Sequence, residues 1–293
     1  MTIASCLVLP EGVIFGSDST TSANLDYGFH YLNHNQKLFE VGENSNLAIM
    51  TWGLSSFYNI SYRTLIAQLA DEIAVEDKAV KSVSELADRW LAKVWDVYQS
   101  QFEDEIAEFR ALEAKQISAA ASKPDDRSKE DDERYLELKE NIFVGFCIGG
   151  YCLPDREPKA FWFELDPSLR SPGSPNEVFS ELFRGQPGVF RRLYDGFDYR
   201  TRISILNSPF WSGEEDELDV ILEKEIYIPP QMTIRDGIDF VHFSIYSTIK
   251  ALKFSAKGQV CGGPIELAVI TTDRPFRWVR HKAWDSAVGY DGV

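Results

Sequence analysis

The chain has 293 residues, 44% of them apolar, and carries a formal net charge of −16. That is enough to bury a sizeable core in one large or two modest domains, and the acidity argues against nucleic acid as a partner. No apolar run is long enough to span a bilayer and no charged leader precedes the first strand-like segment, so the expectation is a cytoplasmic protein with no membrane partner.

Thr2 to Leu9 reads as a strand, Glu11-Gly12 as a tight turn and Val13 to Ser17 as a second strand. Such a hairpin carries Asp18 back towards Thr2. After a loop at Ala23 to Asn33, a third strand is expected at Lys37 to Val41. A turn at Gly42-Glu43-Asn44 and a fourth strand at Asn46 to Trp52 continue the meander, and Gly53 ends it. Residues 55–75 place Tyr58, Tyr62, Leu65, Ile66, Leu69 and Ile73 at helical spacing. Ser84 is the expected cap of a second helix, with Leu86, Trp90, Val94 and Val97 on one face and the pattern running to about Gln116. An Ala/Ser-rich loop and a charged helix follow within 118–140, so about 101–140 reads as a helical insertion.

Asn141 to Gly150 and Lys159 to Leu165 read as two apolar strands joined near Pro154-Asp155, whereas 166–185, rich in Pro, Ser and Gly, reads as irregular. Phe190 to Tyr194 reads as helical, and an acidic stretch lies at Glu214 to Asp219. Thr233 caps a helix that turns Ile234, Ile238, Val241, Ile245, Ile249 and Leu252 inward. Strands at 265–272 and 276–282 close the pattern. Helix pairs flanking strand meanders fit an α+β fold, a four-layer αββα sandwich, over 1–293 as a single domain.

The chemistry concentrates at the start of the chain. If Met1 is removed, Thr2 carries a hydroxyl and a free α-amine on one residue, a nucleophile with its own general base. An α-amine titrates at about 7.7–8.0 when unperturbed, close to working pH. A nearby Lys ammonium eases both deprotonations, and a carboxylate holds that Lys in place. Lys37 and Asp18 are the candidates for these roles. The plainer alternative makes Thr2 a strand residue, Asp18 a turn residue and Lys37 a surface charge. Elsewhere the signals are bland. Cys6, Cys147, Cys152 and Cys261 lack paired metal spacing and read as reduced core thiols. His30, His34, His242 and His281 are scattered, and Asp26, Tyr27 and Tyr31 read as surface residues. No metal or cofactor is expected.

Thr2-Ile3, Gly16-Ser17-Asp18-Ser19, Lys37-Leu38-Phe39, Leu47 through Gly53, and Cys261-Gly262-Gly263 leading into Ile265 to Thr271 occur in an order that resembles the proteasome β-type family of N-terminal nucleophile hydrolases. Within that family the chain resembles the bacterial proteasome-like Anbu group. The resemblance covers residues 1–75 and roughly 141–282. It implies a threonine-type peptidase or amidohydrolase acting through an acyl-enzyme ester, with Thr2, Asp18 and Lys37 catalytic. It further implies that the Gly53 N–H helps bind the oxyanion, that Thr51 and Ser22 line the substrate cleft, and that the chain forms a homo-oligomer, as a ring or an open helical assembly. The substrate is a peptide or a small amide, and no docking motif for an unfoldase is legible. Two supporting positions depart from the family pattern: Gly258 stands where an Asp is expected, and Cys261 where the Ser of a Ser-Gly-Gly turn is expected. These departures leave a non-peptide amidase or a catalytically silent oligomeric scaffold as alternatives.

Overall fold

The computed structural model describes residues 2–25, 28–115, 128–222, 228–229, 231–255 and 261–282, with 22–25, 28–29 and 76 described by backbone alone. Strands β1 (Ile3–Leu9) and β2 (Gly12–Ser17) form the expected hairpin. Its turn is Pro10-Glu11, one residue earlier than expected, because Leu9 pairs with Gly12 and draws that glycine into the ladder. The segment expected as a loop at Ala23 to Asn33 instead contains a second hairpin, β3 (Thr21–Leu25) with β4 (Gly28–Leu32), in the register Thr21↔Leu32. Ala23, Leu25, Tyr27, Phe29 and Tyr31 alternate with polar residues and Gly28 across it, a period-two signal that the loop reading passed over. β5 (Leu38–Glu40) and β6 (Leu47–Gly53) follow as expected.

Helix α1 (Tyr62–Ile73) begins at Ser61, whose hydroxyl accepts from Thr64 N, so Tyr58 lies outside it. Helix α2 (Val83–Gln101) is capped by Ser82 rather than Ser84, with Glu85 at the third helical position. It stops at Phe102 rather than running to Gln116. There the backbone leaves helical geometry (ψ +28°) while the ring is fully buried, and α3 (Glu103–Ala114) starts afresh with three acids in its first turn. Helix α4 (Lys129–Asn141) opens on a capping box between Ser128 and Asp131.

Strands β7 (Val144–Gly150) and β8 (Lys159–Leu165) come next. Two strands missed from the sequence follow, β9 (Asn176–Glu177) and β10 (Glu181–Gly185), within the stretch expected to be irregular. Short strands set among Pro and Gly carry too few residues to show a period; β10 forms because Leu182 and Phe183 are buried beside β1. Helices α5 (Gly188–Tyr194), α6 (Tyr199–Leu206) and α7 (Glu215–Ile221), the last being the acidic stretch, lead to α8 (Ile234–Lys253). Thr233 caps α8 as expected, its hydroxyl accepting from Asp236 N. Strands β11 (Glu266–Thr271) and β12 (Arg274–Arg280) complete the order.

The chain divides into two compact units. The first comprises Met1–Asn35, Ser180–Val269 and Trp278–Val293. Its strands lie in a sheet ordered β10-β1-β2-β11-β12. Helix α8 packs on β1 and β2 through Ile3, Leu7, Ile14, Val241 and Ile245. The helix lies very close to the sheet at Gly16, where an added Cβ would stand 2.5 Å from Val241 Cγ1 and 2.6 Å from Ile245 Cδ1. The second unit comprises Gln36–Phe179 and Ile270–Arg277. Its sheet runs β5-β6-β7-β8-β9. Helix α2 covers β7 and β8, with Trp90 edge-on to Phe146 at 5.4 Å. Helices α3 and α4, within the expected insertion, join through Phe109 stacked on Tyr135 at 4.5 Å and through Arg134 with Glu108.

The expected continuous meander from β2 into the strand at Lys37 is not formed. The second edge of β2 pairs with the fully buried β11, so β5 pairs with β6 in the other sheet. The α+β class is as expected, with two five-stranded sheets, each covered by helices.

Candidate active site

Thr2 stands immediately before β1 and is only 3% exposed. Its carbonyl lies against Gly185 of β10, which takes a left-handed backbone (φ +79°); a Cβ there would fall 1.9 Å from the Thr2 oxygen. Only glycine combines this backbone conformation with so close an approach. The end of β10 therefore fixes where the chain start can lie.

Asp18 follows β2, and the hairpin brings it back to the start of β1. Ile3 N donates to Asp18 Oδ1 at 2.9 Å, and Asp18 N donates to the Ile3 carbonyl at 3.2 Å. Gly262 N donates to Asp18 Oδ2 at 3.0 Å from the turn ahead of β11. The Gly262 carbonyl in turn accepts from Ser19 N at 3.0 Å and Thr20 N at 3.1 Å. Ser19 Oγ donates to the Pro264 carbonyl at 2.7 Å, completing a two-way clasp between residues 18–20 and 262–264. Asp18 is fully buried. A buried carboxylate is tolerated only when its oxygens accept hydrogen bonds or face a cation. Three backbone donors, Ile3 N on Oδ1 with Gly262 N and, at 3.4 Å, Thr20 N on Oδ2, supply part of that need and fix the plane of the carboxylate.

Of the expected site residues, this unit thus brings together Thr2, Asp18 and Cys261. Cys261 is fully buried and reduced, next to the Gly262 that binds Asp18. Ser22 lies on β3, its backbone opposite Tyr31. Gly258, Met1, Asp26 and Tyr27 lie outside the described residues.

Lys37, Thr51 and Gly53 belong to the second unit. Lys37 lies just before β5 and is 3% exposed, not a surface charge. Burying a lysine side chain is costly, so this placement sets Lys37 apart from an ordinary surface lysine. The Lys37 carbonyl accepts from Thr51 N at 2.8 Å, locking the two residues into one ladder. The Thr51 hydroxyl donates to the Gly145 carbonyl at 3.1 Å within the sheet. Gly53 ends β6 in a left-handed conformation (φ +84°), packed so tightly that a Cβ would meet the Phe143 carbonyl at 2.4 Å.

Sequence reading missed the roles of Gly262, Ser19 and Gly185. Their contribution is through backbone groups and close approach, which residue type does not announce. The Gly262-Gly263 pair was the one available signal.

No protein-family model matches the chain, and no curated protein matches it. Among solved structures the chain is similar to Anbu (ancestral beta-subunit) from Yersinia bercovieri. The two share 11% identity over 96% of this chain and 88% of that one, with a TM-score of 0.50. It is also similar to Anbu from Hyphomicrobium sp. strain MC1, at 14% identity over 96% and 86% of the two chains, with a TM-score of 0.48. At such identity the first likeness establishes the fold and nothing more. In fold, the Anbu resemblance read from the sequence holds.

Proposed function

We propose that this protein is an N-terminal threonine hydrolase that cleaves a peptide or small amide after loss of Met1. Thr2 Oγ attacks the carbonyl carbon, the α-amine takes the hydroxyl proton, and Lys37 favours both deprotonated forms electrostatically. Asp18 anchors that cation, while the Gly53 N–H stabilises the oxyanion. The amine then returns the proton to the departing nitrogen, leaving an ester on Thr2. Water, deprotonated by the same amine, hydrolyses that ester and restores the hydroxyl.

The observation that carries this reading is the fully buried Asp18 carboxylate beside Thr2, held by three backbone N–H groups. A turn residue with no task would leave its charge in water. The burial of Lys37 supports the reading in the same way. The two units then work as one domain, and the protein acts as a homo-oligomeric subunit, the word its solved neighbour carries.

Cys261 favours a second reading, in which the fold serves as a silent scaffold. A thiol is a weak hydrogen-bond donor and supports a nucleophile poorly where the family pattern has a hydroxyl.

Intact mass of the native protein, followed by exposure to a peptide epoxyketone, separates the readings. Loss of Met1 and an adduct on Thr2, absent in Thr2→Ala, are the expected result. A retained Met1 would sink the hydrolase mechanism. A processed but inert Thr2 would move the assignment to the scaffold, and Cys261→Ser would then be expected to restore labelling.

A further inference from the structure

Outside the candidate active site, the first unit contains an open pocket of about 470 Å³ lined by Arg192, Arg200, Thr201, Ser204, Ser208 and the apolar faces of Ile205, Phe210 and Trp211. We propose that this pocket binds a carboxylate attached to an apolar or aromatic body, the chemistry of a peptide C-terminus or of a small aromatic acid.

The charge balance points to a monoanion. Asp198 accepts from Arg192 and also from Arg200 N and Thr201 N, so it neutralises Arg192 and fills the amide end of α6. An anion therefore cannot use those amides. No carboxylate among the described residues pairs with the Arg200 guanidinium, in a chain whose net charge is −16. A planar guanidinium offers parallel N–H donors that match a carboxylate. The Ser204 hydroxyl makes no bond within the described part of the chain, and Ser208 Oγ accepts from Phe210 N, which leaves its proton available to a ligand.

The apolar side of the pocket is equally unsatisfied. Phe210 is 96% exposed, and Trp211 Nε1 is buried with no acceptor among the described residues. An indole N–H and a guanidinium that both lack a partner among the described residues, with an exposed ring in the same lining, are what a site for an amphipathic anion provides. The pocket lies outside the residues assigned to Thr2 chemistry, so this inference stands or falls separately from the hydrolase reading.

The test is calorimetric titration of the Thr2→Ala protein with three probes: a hexapeptide ending in Phe with a free carboxylate, its C-terminal amide, and hydrocinnamate. The free-acid peptide is expected to bind at least about tenfold more tightly than the amide, because the amide loses a charge-assisted bond. Arg200→Gln should remove that difference, and Phe210→Ala should weaken both acids. Comparable binding of hydrocinnamate would support the site and identify a small acid as its ligand; binding of the peptide alone would identify a chain end. Equal affinity for acid and amide, indifference to Arg200→Gln, or no binding of either acid would overturn the proposal.

Discussion

Gly185 shows how one atom decides the placement of Thr2. Its φ of +79° already disfavours a side chain, and the space where a Cβ would go is filled by the Thr2 carbonyl. A main-chain oxygen cannot rotate away as the tip of a long side chain can. Gly185→Ala is therefore expected to cost roughly 2 kcal/mol or more in urea unfolding, combining left-handed strain with displacement of Thr2. Gly173→Ala is the matched control. Its φ is +70° with nothing within 4 Å of the new Cβ, so it should show the strain alone, about 1 kcal/mol. If the two variants unfold alike, the contact at Thr2 is not tight. At this scale Thr2, Asp18 and Lys37 were legible as candidates, because their side chains can carry the proposed chemistry. Gly185 and Gly262 were not, because what they supply is a missing Cβ and a backbone N–H. Gly262 reaches Asp18 across 244 positions of chain.

Among the elements, α6 depends on a single side chain at its start. Asp198 accepts from Arg200 N at 2.8 Å and Thr201 N at 3.1 Å and pairs with Arg192. Burial alone would raise its pKa. The Arg192 guanidinium and the Thr201 and Arg200 amides outweigh that, holding the carboxyl below its usual 3.8. A lowered folded pKa means that the stabilisation is fully present above about 3.9 and is lost as pH falls through the lower folded value. Asp198→Ala is thus expected to cost about 1 kcal/mol in urea unfolding from pH 7 down to about 4. The difference from the parent should shrink only in stronger acid. Most of that cost is the lost cap, since Arg192 is largely exposed and its pair is screened. A difference that vanishes already at pH 5 would contradict the lowered pKa. Long amphipathic elements such as α8 were legible because twenty residues repeat their period many times. The break at Phe102 and β10 were not: each is set by a tertiary partner over a few residues, and no local pattern records it. The β3–β4 hairpin left an alternation from Ala23 to Tyr31 that the loop reading passed over.

At the scale of the molecule, the chain crosses between its units at 35/36, 179/180, 269/270 and 277/278, so neither unit is a continuous segment. The core of the first unit shows the consequence. Ile3, Leu7, Leu9 and Ile14 come from the first hairpin, while Val241, Ile245, Leu267 and Val269 come from α8 and β11, more than two hundred residues later. Without α8 and β11, the fully buried faces of β1 and β2 would meet water; without the hairpin, α8 would expose Val241 and Ile245. Each fully buried aliphatic side chain contributes about 1.5–3 kcal/mol. Whole-protein stabilities run to only about 5–15 kcal/mol, so losing half of this core removes more than a fold can spare. Cleavage between Phe179 and Ser180 is thus expected to give a 180–293 piece that does not fold when expressed alone, whereas residues 1–179 keep the sheet and core of the second unit. The 180–293 piece should lack dispersed amide signals in a ¹H–¹⁵N spectrum and unfold without a cooperative transition. Co-expression should restore both, because the hairpin and α8 then meet. A 180–293 fragment that melts cooperatively alone would show that α8, β10 and β11 suffice for a core without the strand that carries Thr2. Thr2, the proposed nucleophile, would then precede an element the fold can do without, and the coupling of Thr2 placement to Gly185 and Gly262 would lose its structural basis.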